Sequence, residues 1–247
     1  PKLIISGHSA YPRQIDFAKI GAIAKKVGAF HMADIAHISG LVATGEHPHP
    51  FPHADIITMT THKILRGPRG ALILTNDKAL AQKIDKAVFP GLQGGPHMKN
   101  IAGIGIALEE ALTPEYTEYT KQVKANSQAL AQALQHRGYT ILTGGTENHL
   151  ILVDLRSKAI DGDTLSKALI QANIETNKNT IPFDEAPPMK PNGIRLGTPA
   201  ITTIGMKEAD MDRIAEFIEQ VYQNHDKPEN LTQIQSEVIR FMNSFSL

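Results

Sequence analysis

The chain has 247 residues, 25 Lys plus Arg against 25 Asp plus Glu for a formal net charge of zero, and is 41% hydrophobic and 20% charged. That suits one large or two modest domains with a real core, while the zero balance argues against a partner held mainly by phosphate charge, whether nucleic acid or an anionic membrane. With no Cys, no apolar run long enough to span a membrane and no secretory signal at the amino end, disulfide scaffolds and thiolate chemistry are excluded and a cytoplasmic location is expected.

In chain order, residues 2–6 are an apolar run that fits a buried strand. Asp16 can N-cap a helix whose apolar face is Phe17, Ile20, Ile23, Ala24 and Val27, with Gly28 as its C′ residue. Residues 29–35 resume as a strand, so the opening is a β-α-β unit with parallel strands. Further strands are predicted at Ile56–Thr60 and Ala71–Leu74, separated by the Gly67-Pro68-Arg69-Gly70 turn, then a helix over 78–87 and a loop over 89–96. Helices are predicted over 98–112 and 115–136. A strand at 140–143, a turn, a strand at 149–155, a helix over 163–172 and a strand at 194–196 follow. Met211, Ile214, Ala215, Ile218, Val221 and Tyr222 form one amphipathic stripe, and Leu231, Ile234, Val238 and Phe241 another. The change of texture near Thr113-Pro114 places a domain over 1–112 and a second, α+β, over 113–247.

The residues able to carry chemistry concentrate between Asp34 and Arg69. Asp34 closes a predicted strand, where ligands of open α/β sheets bind. A carboxylate there can hold a cationic ring nitrogen, or simply serve a turn. Lys63 ends the next strand through Thr60, Thr61 and His62. Placed there, a lysine can bond an aldehyde cofactor as a Schiff base, and together with Asp34 it forms the constellation that pyridoxal phosphate requires. Gly91, Gly94 and Gly95 offer backbone N–H groups for a phosphate. His47, His49 and His53 alternate with prolines, a spacing unsuited to ligation, so no metal is expected. Arg195, inside the apolar segment 194–196, is costly to bury unless it meets an anion; it suits an amino-acid carboxylate or a structural ion pair.

Several strings together resemble serine hydroxymethyltransferase. They are Met32-Ala33-Asp34-Ile35-Ala36-His37-Ile38-Ser39-Gly40-Leu41, Thr60-Thr61-His62-Lys63-Ile64-Leu65-Arg66-Gly67-Pro68-Arg69-Gly70, Phe89-Pro90-Gly91-Leu92-Gln93-Gly94-Gly95-Pro96, Asn148-His149-Leu150, Asn177-Lys178-Asn179 and Gly193-Ile194-Arg195-Leu196-Gly197-Thr198-Pro199-Ala200. The resemblance implies an α/β, fold-type I pyridoxal-phosphate enzyme of the aspartate-aminotransferase-like kind, with part of its large domain and a complete small α+β domain in this chain. It further implies that Lys63 bonds the cofactor as an imine, Asp34 pairs with the pyridine nitrogen, and Ser9 and His37 lie on the phenolic oxygen side. Thr60 and His62 would stand beside the imine. Gly94 and Gly95 would reach the phosphate of the neighbouring subunit of a homodimer, Arg195 would hold the serine or glycine carboxylate, and Asn179 would contact the pterin.

The implied reaction passes the hydroxymethyl carbon of serine to tetrahydrofolate, giving glycine and 5,10-methylenetetrahydrofolate. By the same resemblance the family's amino-terminal half is missing, including its phosphate loop, ring-stacking His and acid–base Tyr and Glu; with Pro1 in place of Met, the expectation is a piece of a longer chain. Two other readings are a threonine-aldolase-type enzyme, which needs no folate, and an inactive fragment kept as a binding module.

Overall fold

The computed structural model describes residues 1–245. The chain divides into two units, one made of Pro1–Ser9 and Gln14–Thr120, the other of Ala10–Arg13 and the chain from Lys121 onward.

The first unit is built on a four-stranded sheet of order β1-β2-β3-β4, from β1 (Leu3–Gly7), β2 (Phe30–Asp34), β3 (Ile56–Thr60) and β4 (Ala71–Leu74). The first three strands run parallel and β4 returns antiparallel to β3. Between β1 and β2 lies α1 (Phe17–Lys26), started by the Asp16 side chain, which accepts the Lys19 N–H at 2.8 Å. This helix packs on β1 and β2. Its buried face is narrower than the periodicity predicts: Phe17 and Ala24 are buried, but Ile23 and Val27 are each 50% exposed.

The pleat sorts the strand residues. Ser6, His31, Ala33 and Ile57 are buried on one face, where the Ser6 hydroxyl meets His31 Nε2 at 2.8 Å and His31 Nδ1 meets the His53 carbonyl at 2.8 Å. The register places Leu3, Ile5, Phe30, Asp34, Thr58 and Ile73 on the opposite face, and there Ile5 is 61% and Phe30 55% exposed.

After β2 comes the short α2 (Ser39–Ala43), and after β4 come α3 (Lys78–Lys86), α4 (Met98–Glu110) and the first turns of α5 (Pro114–His136). The predicted loop over 89–96 begins differently: residues Ala87–Leu92 form a π-type turn, interrupted where Phe89 is extended (φ −134°, ψ 127°) ahead of Pro90.

The second unit carries an antiparallel sheet of order β5-β6-β8-β7, from β5 (Thr140–Ile141), β6 (Leu150–Asp154), β7 (Asn177–Asn179) and β8 (Gly193–Gly197). The predicted strand over 140–143 stops at Ile141, because Thr143 turns to φ +62° inside a 3₁₀ turn. Around the sheet lie the rest of α5, α6 (Gly162–Gln171), the short α7 (Pro199–Thr203), α8 (Glu208–Gln223) and α9 (Pro228–Met242). Their apolar stripes meet in one core with Ile151, Val153 and Ile194 from the sheet, Leu134 from α5, Met211 and Ile218 from α8, and Leu231 from α9. Ala10–Arg13 joins this unit through Asn148, whose amide donates to the Tyr11 carbonyl at 3.0 Å, and through the Glu147 N–H to Pro12 O at 2.8 Å.

Candidate active site

Because β1, β2 and β3 are parallel, their carboxyl ends share one edge of the sheet. Ser9 follows β1, Asp34 ends β2 and is followed by His37, and Thr60, His62 and Lys63 close β3. Six residues singled out in the sequence are thus brought to one sheet edge, the place where ligands bind in such sheets.

The Lys63 segment is a tight, self-bonded turn. Thr61 donates its N–H to Gly70 O at 3.1 Å and its hydroxyl to Pro68 O at 2.7 Å, while the Gly67 N–H returns to Thr61 O at 2.8 Å. The Arg66 N–H bonds Lys63 O at 2.9 Å, with Arg66 at φ +58°. Lys63 itself is half-buried, and its amine makes no hydrogen bond or ion pair among the described residues. Beside it His62 Nδ1 is buried without a hydrogen-bond partner, an arrangement that is costly unless a ligand completes it. Thr60 donates its hydroxyl to Ala36 O at 3.3 Å, tying the end of β3 to the segment after β2.

Asp34 is exposed and accepts the Ala36 N–H on Oδ1 at 3.0 Å. This is the turn role that Asp favours, and it also fixes the carboxylate direction. Gly7 makes the approach of β1 possible: its φ is +148°, and a Cβ there would lie 2.3 Å from Asp34 O.

His8, next to Ser9, titrates at about 4 rather than 6.5, because burial disfavours its charge and His47 and His37 repel it. Well above pH 6.5 the folded and unfolded chains are both neutral at this residue, and as the pH falls through 6.5 towards 4 the unfolded chain gains the proton first. Stability is therefore expected to decline across that window by on the order of 2–3 kcal/mol. Urea midpoints measured against pH should show a smaller decline in His8→Leu; the same decline in both chains would assign it to other groups.

The histidine–proline run is structural. His47 is buried and accepts the Ile15 N–H on Nε2 at 3.1 Å, and His49 Nδ1 accepts the Phe51 N–H at 3.1 Å. Among the described residues no group of three His, Cys, Asp or Glu is placed to hold a metal ion. Gly94 and Gly95 stand in an exposed loop, Gly95 at φ +64° with open space around both Cα atoms.

In the second unit, Arg195 on β8 and Asn179 on β7 lie on one face of the sheet, with Arg195 opposite Asn177 and Asn179 opposite Gly193. This face is opposite the one that carries Ile194 and Leu196 into the core. The half-buried Arg195 guanidinium donates to Asn177 Oδ1 at 3.0 Å, and burial lowers its pKa below the ordinary guanidinium value. Asn179 donates its amide to Thr180 O at 2.6 Å.

Sequence reasoning missed three supporting residues: Gly7, Asn148 as the holder of Tyr11, and Tyr116, whose hydroxyl donates to Ile64 O at 2.8 Å. The Asn148-His149-Leu150 string was legible as a motif, but nothing in the sequence near Tyr116 signals its partner 52 residues away.

A family profile described as Serine hydroxymethyltransferase matches residues 1–218. The curated serine hydroxymethyltransferase of Rickettsia canadensis (strain McKiel) is 55% identical over 239 residues, covering 97% of this chain and 57% of the relative. That of Rickettsia prowazekii (strain Madrid E) is 54% identical over 249 residues, covering 99% of this chain and 59% of the relative. A probable serine hydroxymethyltransferase of Rickettsia bellii (strain RML369-C) matches at 54% with the same coverage. The chain spans 57–59% of the length of these relatives.

Proposed function

The chain belongs to the serine hydroxymethyltransferase family, and from that premise we propose that it is the Lys63-bearing part of an enzyme that transfers the hydroxymethyl carbon of serine to tetrahydrofolate with pyridoxal 5'-phosphate, giving glycine and 5,10-methylenetetrahydrofolate. The observation that carries this reading is the unpartnered, half-buried amine of Lys63 at the same sheet edge as Asp34. The donor set fits the cofactor: an amine for its aldehyde, a carboxylate for its ring nitrogen, and the buried His62 Nδ1 that lacks a partner.

When bound, the cofactor supplies an aldehyde and a ring that withdraws electrons from the bonds at the substrate α-carbon. Asp34 keeps the ring nitrogen protonated by accepting its N–H. Lys63 anchors the aldehyde and moves protons through its amine. Ser9 and His37 bind the phenolic oxygen side, and Thr60 and His62 orient the reacting end. Gly94 and Gly95 offer N–H groups to the phosphate bound by the neighbouring subunit of a cytoplasmic homodimer. Arg195 takes the substrate carboxylate through its planar fork, and Asn179 takes the pterin. In this reading residues 1–112 are part of the large, cofactor-binding domain of a fold-type I enzyme, and 113–247 form the small domain.

The uncovered apolar face of the first sheet supports the view that more polypeptide belongs to the working enzyme, since sheets with parallel strands are normally covered on both faces. The chain alone is therefore expected to be inactive and prone to associate. Joined to the segment that completes a relative's length, it should convert serine to glycine only when both pyridoxal 5'-phosphate and tetrahydrofolate are present. Equal cleavage of threonine without folate would favour the aldolase reading, and cofactor-independent complex formation without turnover would favour the binding module.

A further inference from the structure

We propose that Tyr116 is a positioning residue for Lys63: its hydroxyl, bonded to Ile64 O and seated against Gly40, sets the spacing between the Lys63 turn and the segment that carries Asp34 and His37. This rests on the role proposed above for Lys63.

Three elements of the first unit meet at one oxygen atom. Tyr116 is 2% exposed and Ile64 2% exposed, and the bond between them is 2.8 Å long and one residue away from Lys63. On the other side, a Cβ on Gly40 would lie 2.3 Å from the Tyr116 hydroxyl and 3.1 Å from Ile64 Cγ2. The absence of a side chain at Gly40 is thus what admits the hydroxyl. Gly40 lies in α2, immediately after the Asp34–His37 segment. The Thr60 bond to Ala36 O makes a second tie between the same two segments, so the hydroxyl completes a bracket rather than forming an isolated contact.

The donor stays a donor. Burial first, then Tyr119, raises the Tyr116 pKa well above 10.0, outweighing the opposing effect of Arg66, so the phenol keeps its proton at any working pH. Arg66 closes the bracket from outside, its guanidinium carbon 4.2 Å from the Tyr119 ring centre and 5.5 Å from that of Tyr116. Arg66 holds this position at φ +58°, a conformation unusual for a residue with a side chain, and its own N–H bonds Lys63 O. Losing the hydroxyl leaves a buried carbonyl unpaired one residue from Lys63, a cost that a shift of the turn would relieve.

The test is competitive labelling of the full chain with limiting pyridoxal 5'-phosphate and cyanoborohydride, with each lysine peptide quantified by mass spectrometry. In the unsubstituted chain Lys63 should label faster than Lys78. In Tyr116→Phe, the Lys63 rate should fall by about threefold to tenfold relative to Lys78, the change that one ordinary hydrogen bond commands. Arg66→Gln, at an exposed position that does not threaten folding, should lower it in the same direction. Unchanged Lys63 labelling in both variants, even with a lowered melting temperature, would leave Tyr116 a purely structural residue and overturn the inference. Lys63 labelling no faster than Lys78 in the unsubstituted chain would instead overturn the role proposed for Lys63 itself.

Discussion

Replacement of Lys63 by Ala is expected to abolish covalent capture of pyridoxal 5'-phosphate by the completed enzyme, with loss of the visible absorbance of the bound cofactor and of the borohydride-fixed adduct on that peptide. Serine turnover should fall on the order of 10³-fold, because anchoring and proton transfer are lost together. The assignment depends on comparing the lysines rather than on Lys63 alone. Lys178 is committed elsewhere, its ammonium 2.7 Å from Asp163 and 2.9 Å from Met189 O, so capturing an aldehyde there would cost an ion pair. Lys78 is an exposed residue of the first turn of α3. Lys63 alone among these three joins partial burial, an unpartnered amine and a strand-end carboxylate on the adjacent strand. An adduct mapped to Lys78 or Lys178 would refute the assignment.

The parts of this site that were legible in the sequence are those whose physics is local. The bounds of β3 and β4 follow from apolar runs punctuated by Gly67-Pro68-Arg69-Gly70, and the Asp16 cap is visible because a cap and its helix are neighbours in the chain. Three short elements were not legible: α2 and α7 have five residues each and β7 three, too few to display a period. Long-range pairings escaped for a different reason. Nothing local to Tyr116 marks its partner, and only folding reveals that its hydroxyl meets Ile64 O and that Gly40 is bare to admit it. Asp34 shows a limit of another kind, because its turn role and its proposed cofactor role coexist: the Ala36 bond that satisfies one carboxylate oxygen also aims the group.

The faces of the first sheet connect fold to function. Asp34 lies on the same face as Leu3, Ile5 and Phe30, not on the face where Ser6, His31 and Ala33 are buried. The carboxylate proposed to meet the cofactor therefore opens onto the side of the sheet that is uncovered in this chain, where Phe30 is 55% exposed. Polypeptide that shields those apolar side chains would at the same time roof the Asp34 end and exclude water from it. Excluding water strengthens each charge-assisted contact there. Stability and catalysis would then be completed by the same segment, which is why the apolar exposure and the expected inactivity of the isolated chain have one cause.

Arg195 carries the second large effect. Truncation of Arg195 to Ala in the completed enzyme is expected to weaken serine and glycine binding by ~2–5 kcal/mol, the range for removing one partner of a desolvated charge pair, and Arg195→Lys is expected not to restore it. Charge alone is not the requirement. Burial lowers the Arg195 pKa below the ordinary guanidinium value, yet guanidinium stays protonated in proteins, so Lys preserves the charge and removes only the planar fork. One arm of that fork already donates to Asn177 Oδ1 at 3.0 Å, which holds the group on the β8 face away from the core. A lysine ammonium at this position is a strongly hydrated point charge without the second parallel donor. Asn177→Ala separates positioning from binding: it should weaken substrate affinity less than Arg195→Lys while leaving the fork in place. Glycine and serine titrations, run with urea melts of each variant, distinguish the outcomes. A stability loss with unchanged substrate affinity in Arg195→Lys would make Arg195 a structural member of the β7–β8 pair, and the carboxylate would then have to be held by another cation.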